Sequence, residues 1–459
     1  MGAPSVVKKS ELEGALRLDA EYYQPVYLGN ERSIAACGMQ VESLHDVVGK
    51  VRNGYDYRNF SDSGRPYIRV GDLLFGEVLY RDASRVDVTV EQIRKDVALR
   101  LGDVLFSRKG TFGRSAVVEA PFVDSVISSE IMRLRVAGGK VNPYYLSTYL
   151  NCRLGFLQVE RRTHGVSNFS IGQRDLGELR VIVPDMGCQE AIEALVREAH
   201  EMREASCNLY LQAERIVLEE LGWEALDLRQ PRWWPVPLSR GREVKRLDAD
   251  HFQPRYDRLI AHLGETGKAR PLGEIASYIK RGVQPRYAGG GEVLAINSRY
   301  VGKQLINTEQ AERTDVAFWD DNPRARAYKH DVIMNSTGWG TIGRTNCVLH
   351  DERTVVDNHV TIIRVKEGTC DPVYLAVYLN SRPGLMQTGK WLSGSSGQIE
   401  LYPGDIARFV VYVPSEGVQA RVADLVTQSH DARRKVSTLL EEAKRKVEAL
   451  IEGATGGQG

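Results

Sequence analysis

The sequence has few cysteines, and none is placed for a metal site or a disulfide framework. Its 459 residues include six cysteines, scattered along the chain without a Cys-x-x-Cys pair. Isolated cysteines of this kind indicate reduced thiols, as in cytosolic proteins. The nine histidines form no His-Glu-x-x-His motif, so the sequence offers no recognisable zinc site and we expect no bound metal.

Long apolar runs are also missing. The longest, Phe409–Val413, has the length of a strand, whereas a membrane helix needs roughly 18 apolar residues. The N-terminus carries no apolar signal region. We therefore expect a cytoplasmic protein without a membrane partner.

Motifs for catalysis are absent or incomplete. Gly110–Arg114 lacks the pattern of a phosphate-binding loop. Asn142–Tyr145 resembles the Asn-Pro-Pro-Tyr loop of DNA amino-methyltransferases, but the second proline is missing, and no glycine-rich loop offers a site for S-adenosylmethionine. Proline there also suits the first turn of a helix. We expect no catalytic residues and no cofactor of the chain's own.

A strongly basic character is lacking as well, since the formal net charge is +1. Segments 40–185 and 270–414 have a small excess of Lys and Arg, whereas segment 186–228 between them is acidic. A locally basic face can bind phosphates although the whole chain is almost neutral. The charge distribution therefore permits nucleic-acid binding without indicating it.

What the sequence does have is an internal repeat, offset by 229 residues. Leu18–Tyr27 (LDAEYYQPVY) recurs as Leu247–Tyr256 (LDADHFQPRY). At nearly the same offset, further matches join Gly110–Arg114 to Gly340–Arg344, Asn142–Asn151 to Asp371–Asn380, and Val183-Pro184 to Val413-Pro414. A unit this long is a domain with its connector, because solenoid repeats span roughly 20–50 residues. Two similar domains in one chain suggest a ligand with two comparable sites.

Two segments, 189–221 and 418–451, carry apolar residues at alternating three- and four-residue steps. Such a heptad seam is the signature of a coiled coil. We expect two long helices that pair with each other, antiparallel; the alternative is that each packs on its own domain. Gly187 and Gly417 are expected to precede these helices, and Gly222 and Gly453 to follow them.

These features predict an α+β protein in which two pseudo-repeated domains with mixed β-sheets are separated by two long antiparallel helices. The expected divisions are 1–185, 186–228, 229–414 and 415–459. Short apolar runs at 103–107, 179–184 and 331–335 predict strands, and 144–150 and 373–379 predict short helices.

Several loops combine hydrogen-bond donors, small residues and aromatic residues. Such side chains can neutralise phosphates or read base edges, and glycine lets a backbone approach closely. Taken singly, each loop could be an ordinary polar turn; together they gain weight because the repeats keep framework residues and differ in the loops. Arg114 and Arg344 match in both repeats, which favours a structural or phosphate-binding role for them. The candidate contact residues are Asn53, Tyr55, Arg58, Arg108, Lys109, Thr111, Arg114, Arg161, Arg162, Asn168, Lys280, Arg281, Gln284, Arg286, Ser336, Thr337, Trp339, Arg344, Lys390, Ser395 and Gln398.

With these features in place, the chain resembles the specificity (S) subunits of type I restriction–modification systems over nearly its whole length. The resemblance rests on the order domain, helix, domain, helix. It also rests on four local motifs: Leu18–Tyr23, Gly102–Thr111, Asn142–Leu146, and Val183-Pro184 followed by a glutamine and a long helix.

The resemblance implies a non-catalytic DNA-recognition subunit with two target-recognition domains. Each domain would read one half of a bipartite, asymmetric site in double-stranded DNA. The paired helices would form a spacer and a dock for two methyltransferase (M) subunits, with restriction (R) subunits as further partners. S-adenosylmethionine, ATP and Mg would then be bound by those partner subunits.

Two other classes of function remain open from the sequence. The chain could be a solitary, degenerate DNA methyltransferase or nuclease. It could also be a coiled-coil interaction protein without a role in DNA binding, for which similar loops in both repeats would be the more natural expectation.

Overall fold

The computed structural model describes residues 7–9, 12, 18–79, 83–89, 92–93, 97–164, 169–338, 340–394 and 399–455. The chain forms two compact units: unit 1 comprises residues 1–203 and 434–459, and unit 2 comprises residues 204–433. Each unit thus contains part of each long helix as well as one repeat. Among the helices that the structure describes, none is long and apolar enough to cross a membrane.

Unit 1 contains the Leu18–Tyr23 motif, which ends in a short 3-10 turn at Ala20–Tyr23. Its elements are α1 (Pro25–Ala36), β1 (Gln40–Ser43), α2 (Leu44–Val48), β2 (Arg52–Asn53), β3 (Phe60–Ile68), β4 (Arg85–Val86), β5 (Val104–Ser107), β6 (Ser115–Val117), β7 (Val126–Ile127), β8 (Ile131–Leu134), α3 (Pro143–Asn151), α4 (Arg153–Arg162), α5 (Gln173–Gly177), β9 (Arg180–Val183) and the first part of α6 (Met186–Glu220).

The described strands of unit 1 form three sheets. The antiparallel sheet β2-β8-β5-β6 packs against α3, a small sheet has the order β4-β3-β7, and β1 pairs with β9. Side chains of β5 alternate between two cores: Val104 and Phe106 join the cluster that contains α3, whereas Leu105 joins the cluster that contains Ile68 and Ile127. This two-residue period is that of a strand buried on both faces.

Unit 2 repeats the plan. α7 (Leu238–Val244) precedes a 3-10 turn at Ala249–Phe252. The elements after the turn are α8 (Pro254–Glu265), β10 (Ala269–Pro271), α9 (Leu272–Ile275), β11 (Ala276–Arg281), β12 (Val293–Ile296), β13 (Glu312–Thr314), α10 (Val316–Asp321), β14 (Arg326–Ala327), β15 (Val332–Asn335), β16 (Thr345–Cys347), β17 (Thr354–Val356), β18 (Val360–Val365), α11 (Pro372–Asn380), α12 (Arg382–Trp391), α13 (Pro403–Ile406), β19 (Val410–Tyr412) and the first part of α14 (Glu416–Thr455).

The sheets of unit 2 have the orders β11-β18-β15-β16, β13-β12-β17-β14 and β10-β19. β12 pairs in parallel with β17 and antiparallel with β13, so this sheet is mixed. The α+β class with mixed sheets and two long helices, predicted from the sequence, is confirmed.

The motifs that repeat along the sequence form a duplicated set of buried hydrogen bonds. In α3, the Tyr145 hydroxyl donates to the Ile182 carbonyl at 2.7 Å. In α11, the Tyr374 hydroxyl donates to the Tyr412 carbonyl at 2.8 Å. Both tyrosines are fully buried. The repeated tyrosines thus fasten a helix to the closing strand of its own unit.

The repeated glutamines tie the long helices to the same place. The Gln189 side chain accepts from the Asn142 backbone N–H at 2.7 Å and donates to the Pro184 carbonyl at 2.9 Å. Gln419 repeats both bonds, with Asp371 and Pro414, at the same distances. Each long helix is therefore anchored at its first turns to the repeat that precedes it.

Within each unit the two long helices run antiparallel and share a buried seam. In unit 1, Ala199 of α6 packs in one cluster with Val436 and Leu439 of α14. In unit 2, the Ser206 hydroxyl donates to the Ser429 carbonyl at 2.8 Å, and the Ser429 hydroxyl donates to the Ser206 carbonyl at the same distance. Residue numbers on one helix rise as those on the other fall, as the antiparallel prediction requires.

The predicted helix boundaries need correction at three glycines. α6 and α14 begin at Met186 and Glu416, so Gly187 and Gly417 lie inside the first turns, and Gly453 lies inside α14. Gly222 does follow α6, with a positive φ of 59°. The anchoring bonds of Gln189 and Gln419 let both helices start directly after the closing strands.

The edge strands provide a test of this duplicated framework. The Asn151 carboxamide bonds both the N–H and the carbonyl of Ser115 in edge strand β6, each at 2.8 Å, and Asn380 does the same for Thr345 in β16. Asn151→Ala or Asn380→Ala should lower the free energy of unfolding by about 1–3 kcal/mol, because buried backbone groups lose their partners. Calorimetric unfolding measures this. Asn208→Ala, on an exposed face of α6, is the control, and equal effects of all three changes would contradict the framework role.

Candidate nucleic-acid interface

Three loops of unit 1 meet at one end of the sheet β2-β8-β5-β6. The Gly54 N–H donates to the Ile131 carbonyl at 3.0 Å, which presses the loop after β2 against the turn before β8. The Arg108 N–H donates to the Glu130 carbonyl at 2.9 Å, which brings the loop after β5 to the same turn. We call residues 53–58, 108–113 and 128–130 the first loop cluster.

A fourth segment, which follows α4, borders this cluster. His164 and Ser170 exchange backbone hydrogen bonds at 2.9 and 3.0 Å, and a β-bridge joins Lys109 to Ser170. The Arg108 side chain also donates to the Ile171 carbonyl at 3.3 Å. His164, Ser170 and Ile171 are therefore held beside the first loop cluster.

Unit 2 has an equivalent second loop cluster, formed by residues 281–287, 336–338, 340–341 and 357–359. The Gly282 N–H donates to the Val360 carbonyl at 3.1 Å, and the Ser336 N–H donates to the His359 carbonyl at 2.8 Å. Ser393 and Glu400 exchange backbone bonds beside it, and Thr337 bridges to Glu400. Position 108 therefore corresponds to 336, 109 to 337, and 130 to 359.

The structure places most of the predicted contact residues in these two clusters; Arg114, Lys280 and Arg344 lie within three residues of them along the chain. The predicted contact residues with exposed side chains are Arg58, Thr111, Lys280, Gln284 and Arg286, and those with half-buried side chains are Asn53, Tyr55, Arg108, Lys109, Arg114, Arg281, Thr337 and Arg344. Asn168, Trp339, Ser395 and Gln398 lie outside the described residues.

Arg161 and Arg162 are buried in α4, so their predicted role as contact residues needs correction. The Arg161 guanidinium lies over the Tyr22 ring at 4.1 Å, and its Nε donates to the Tyr22 carbonyl at 3.0 Å. Arg162 pairs with Glu31 at 3.1 Å. These cations fasten the repeated Leu18–Tyr23 motif onto α4. The motif precedes α1 and covers the end of α4, which looks exposed from the sequence alone.

Lys390 and Ser336 need the same correction in unit 2. The Lys390 ammonium donates to the His251 carbonyl at 3.2 Å, and burial lowers the pKa of Lys390. Lys390 thus repeats the part of Arg161, with His251 in place of Tyr22. The Ser336 side chain is fully buried, and its hydroxyl shares a hydrogen bond with that of Thr361.

Two of the half-buried arginines stabilise the clusters through contacts with other segments of the chain. Arg114 donates to the Leu73 carbonyl at 3.2 Å and lies over the Phe75 ring. Arg281 donates to the Leu401 carbonyl at 3.1 Å and pairs with Glu400. Their charges are largely engaged by the protein, which fits a structural role better than base contact.

Sequence reasoning missed the turns before β8 and β18. In unit 1, the Ser129 hydroxyl donates to Asp56 at 2.8 Å, and Glu130 is half-buried beside it. In unit 2, exposed His359 lies 2.8 Å from the Thr337 hydroxyl through Nδ1. The His359 N–H donates to Asp357, whose pKa is raised by burial. These turns lack the glycines and clustered cations that marked the other candidate loops in the sequence.

The false lead at Asn142 is resolved as a helix cap. Its side-chain oxygen accepts from the N–H of Tyr144 at 2.9 Å, and Asp371 plays the same part at the start of α11. A group of three or more His, Cys, Asp or Glu side chains that could hold a metal ion is absent from the described residues. Exposed Arg58, Thr111, Gln284 and Arg286 give the clusters a surface of hydrogen-bond donors and acceptors.

No protein-family model and no curated protein matches this chain, but solved structures do. The crystal structure of a type I restriction–modification S subunit from M. genitalium is 13% identical, covers 91% of this chain and 96% of its own, and has a TM-score of 0.38. The HsdS subunit from Thermoanaerobacter tengcongensis is 16% identical, with coverages of 92% and 97% and a TM-score of 0.28.

A third similar chain comes from a structure described as showing complex assembly and conformational transition of the type I R-M system. It is 16% identical, with coverages of 91% and 97% and a TM-score of 0.29. The chain is thus similar to S subunits, the family that its sequence motifs resemble.

The close packing at the clusters gives a structural prediction. A Cβ at Gly54 would clash with the Ile127 carbonyl oxygen, and one at Gly282 would clash with the Val356 carbonyl oxygen, whereas Gly289 has open space. Gly54→Ala or Gly282→Ala should cost about 1–3 kcal/mol of stability through overpacking. Hydrogen exchange should also accelerate in the neighbouring turn. If hydrogen exchange in these turns is as slow in Gly54→Ala and Gly282→Ala as in Gly289→Ala, close packing at the two glycines does not hold the loops in place.

Proposed function

We propose that this chain is the DNA-recognition subunit of a type I restriction–modification complex. Each unit reads one half of a bipartite, asymmetric site in double-stranded DNA. The observation that carries the proposal is the pair of loop clusters, which stand on the same framework at the same end of equivalent sheets but present different side chains.

The contrast between framework and loops favours two readers of different sequences. The tyrosine, asparagine and glutamine bonds of the framework recur in both units. At equivalent cluster positions, Lys109 of the first repeat corresponds to Thr337 of the second, and Glu130 corresponds to His359. A protein that offered one surface twice to the same partner would have kept its loops alike.

The charge of the chain supports a division of labour in the complex. Strong DNA binding depends on many phosphate contacts, and a net charge of +1 supplies few. We infer that two methyltransferase subunits provide much of the phosphate contact and all of the chemistry, with restriction subunits as further partners. S-adenosylmethionine, ATP and Mg would bind to those partners, in the cytoplasm.

The long helices are proposed as spacer and dock. α6 is one continuous helix of 35 residues, about 52 Å long at 1.5 Å per residue. One turn of B-DNA is about 34 Å. A rod of this length can set the number of base pairs between two half-sites without any contact to bases.

Methylation tests the proposal directly. The purified chain, given S-adenosylmethionine and DNA, should transfer no methyl group, whereas the chain with adenine-methyltransferase subunits should methylate adenine in a bipartite motif. Methyl transfer by the chain alone would favour the solitary methyltransferase. A complex without a bipartite motif would contradict recognition by two units.

Independent reading predicts that the two clusters affect different halves of the motif. Arg58 and Gln284 are exposed members of the first and second cluster. Arg58→Ala should weaken recognition in one half only and Gln284→Ala in the other, each by about 1–3 kcal/mol if a base contact is lost. Methylated motifs in the genome of an expressing host report the effect. Arg174 is exposed and lies outside the clusters, so Arg174→Ala should change recognition of neither half. If either cluster variant weakens recognition of both halves equally, the residue contacts phosphates instead of bases.

The spacer role predicts that helix length sets half-site separation. Four residues inserted after Arg203 in α6 and after Arg433 in α14 lengthen the paired helices by about 6 Å. The motif spacer should then grow by one or two base pairs, since B-DNA rises about 3.4 Å per base pair, with both half-sites unchanged. Four residues inserted between Gly138 and Gly139, in an exposed turn of unit 1, should leave the spacer as it was. An unchanged spacer in the helix variant would contradict the ruler.

A further inference from the structure

Glu130 and His359 occupy the same place in the two units. Each carbonyl accepts the N–H of the first residue after β5 or β15: Arg108 donates to Glu130 at 2.9 Å and Ser336 donates to His359 at 2.8 Å. Each residue directly precedes a central strand, β8 or β18. Neither position belongs to a motif that the two repeats share.

Both residues stand on a turn that is held from two sides. On one side, the loop after β2 holds the turn of unit 1 through the hydrogen bond from the Gly54 N–H to the Ile131 carbonyl. In unit 2, the loop after β11 does the same through the bond from the Gly282 N–H to the Val360 carbonyl. The turn also closes on itself, with Ile131 donating to the Ser128 carbonyl at 3.0 Å. Such a support fixes the backbone from which each side chain projects, and a fixed backbone is one requirement for recognition of a base edge.

The two side chains have opposite hydrogen-bonding character. An ionised Glu130 carboxylate only accepts hydrogen bonds. His359 is exposed, and its Nδ1 lies 2.8 Å from the Thr337 hydroxyl. If the hydroxyl donates to Nδ1, the ring proton is on Nε2, which then presents a donor at the surface.

We propose that Glu130 and His359 are specificity-determining residues, one for each half of the DNA site. The Glu130 carboxylate accepts from the exocyclic amino group of a cytosine or adenine, and His359 Nε2 donates to O6 or N7 of a guanine. Those are the groups that bases present in the major groove. The proposal rests on the proposed function, since it names the chemistry by which each unit reads its half.

Thr337 is then a positioning residue for His359. Its hydroxyl fixes both the direction of the ring and the tautomer, and it touches no base in this scheme. Thr337→Val removes the donor and should weaken the preference for guanine, whereas Thr337→Ser keeps the hydroxyl and should retain it. A purely structural role for Thr337 would change both halves of the motif or neither.

The experiment uses the full chain co-expressed with its methyltransferase subunits in a host without adenine methylation. Glu130→Gln should relax one position of one half-site, where the wild-type motif has cytosine or adenine, with about tenfold loss of discrimination. His359→Gln should relax one guanine position in the other half to a similar extent. Glu178→Gln and His330→Asn, which change exposed residues outside the clusters, are the matched controls and should leave the motif intact.

The outcomes separate this proposal from the proposed function. If the wild-type complex yields no bipartite motif, the proposed function itself fails. If it yields one but Glu130→Gln and His359→Gln leave it unchanged, relax the same half, or relax a position of the wrong base type, the assignment of these two residues is overturned. Thermal unfolding of each variant identifies a folding defect, in which case Glu130→Ala and His359→Ala are judged by the same criteria.

Discussion

The antiparallel seam between the two long helices is the constraint on which the rest of the protein depends. Ile192 and Val196 of α6 share the main core of unit 1 with Ala443 and Val447 of α14. In unit 2, Ala213 and Val217 share a core with residues 422 and 426 of α14. Unit 1 is therefore completed by a segment of α14 from the far end of the chain, whereas unit 2 is one contiguous stretch that begins in α6 and ends in α14.

That constraint explains which residues the two repeats share. The helices must start where the closing strands end, and Gln189 and Gln419 secure those starts through bonds to Pro184 and Pro414. Tyrosines and asparagines then hold α3 and α11 against their sheets. The far end of each sheet is free from these demands, so its loops can differ. The candidate interface lies at that end, where a change of side chain leaves the anchoring bonds intact.

The sequence predicted the repeated architecture well, because that architecture has periodic or duplicated signals. The heptads predicted α6 and α14, and the duplicated motifs predicted two similar units. The exposure of the candidate contact residues was harder to predict. Arg161 and Lys390 look like exposed cations at helix ends, but a distant motif covers them, and no local pattern reveals such a cover. Glu130 and His359 were missed because their positions equate only through backbone hydrogen bonds to Arg108 and Ser336.

We propose that the two equivalent loop clusters contact the DNA. Hydrogen exchange of the methyltransferase complex, with and without a duplex that contains its methylation motif, tests this most directly. The account predicts protection by DNA at residues 53–58, 108–113 and 128–130 and at 281–287, 336–338, 340–341 and 357–359. A duplex with one half-site scrambled should lose protection in one cluster only. Protection confined to other surfaces of the chain, or lost from both clusters together, would contradict the account.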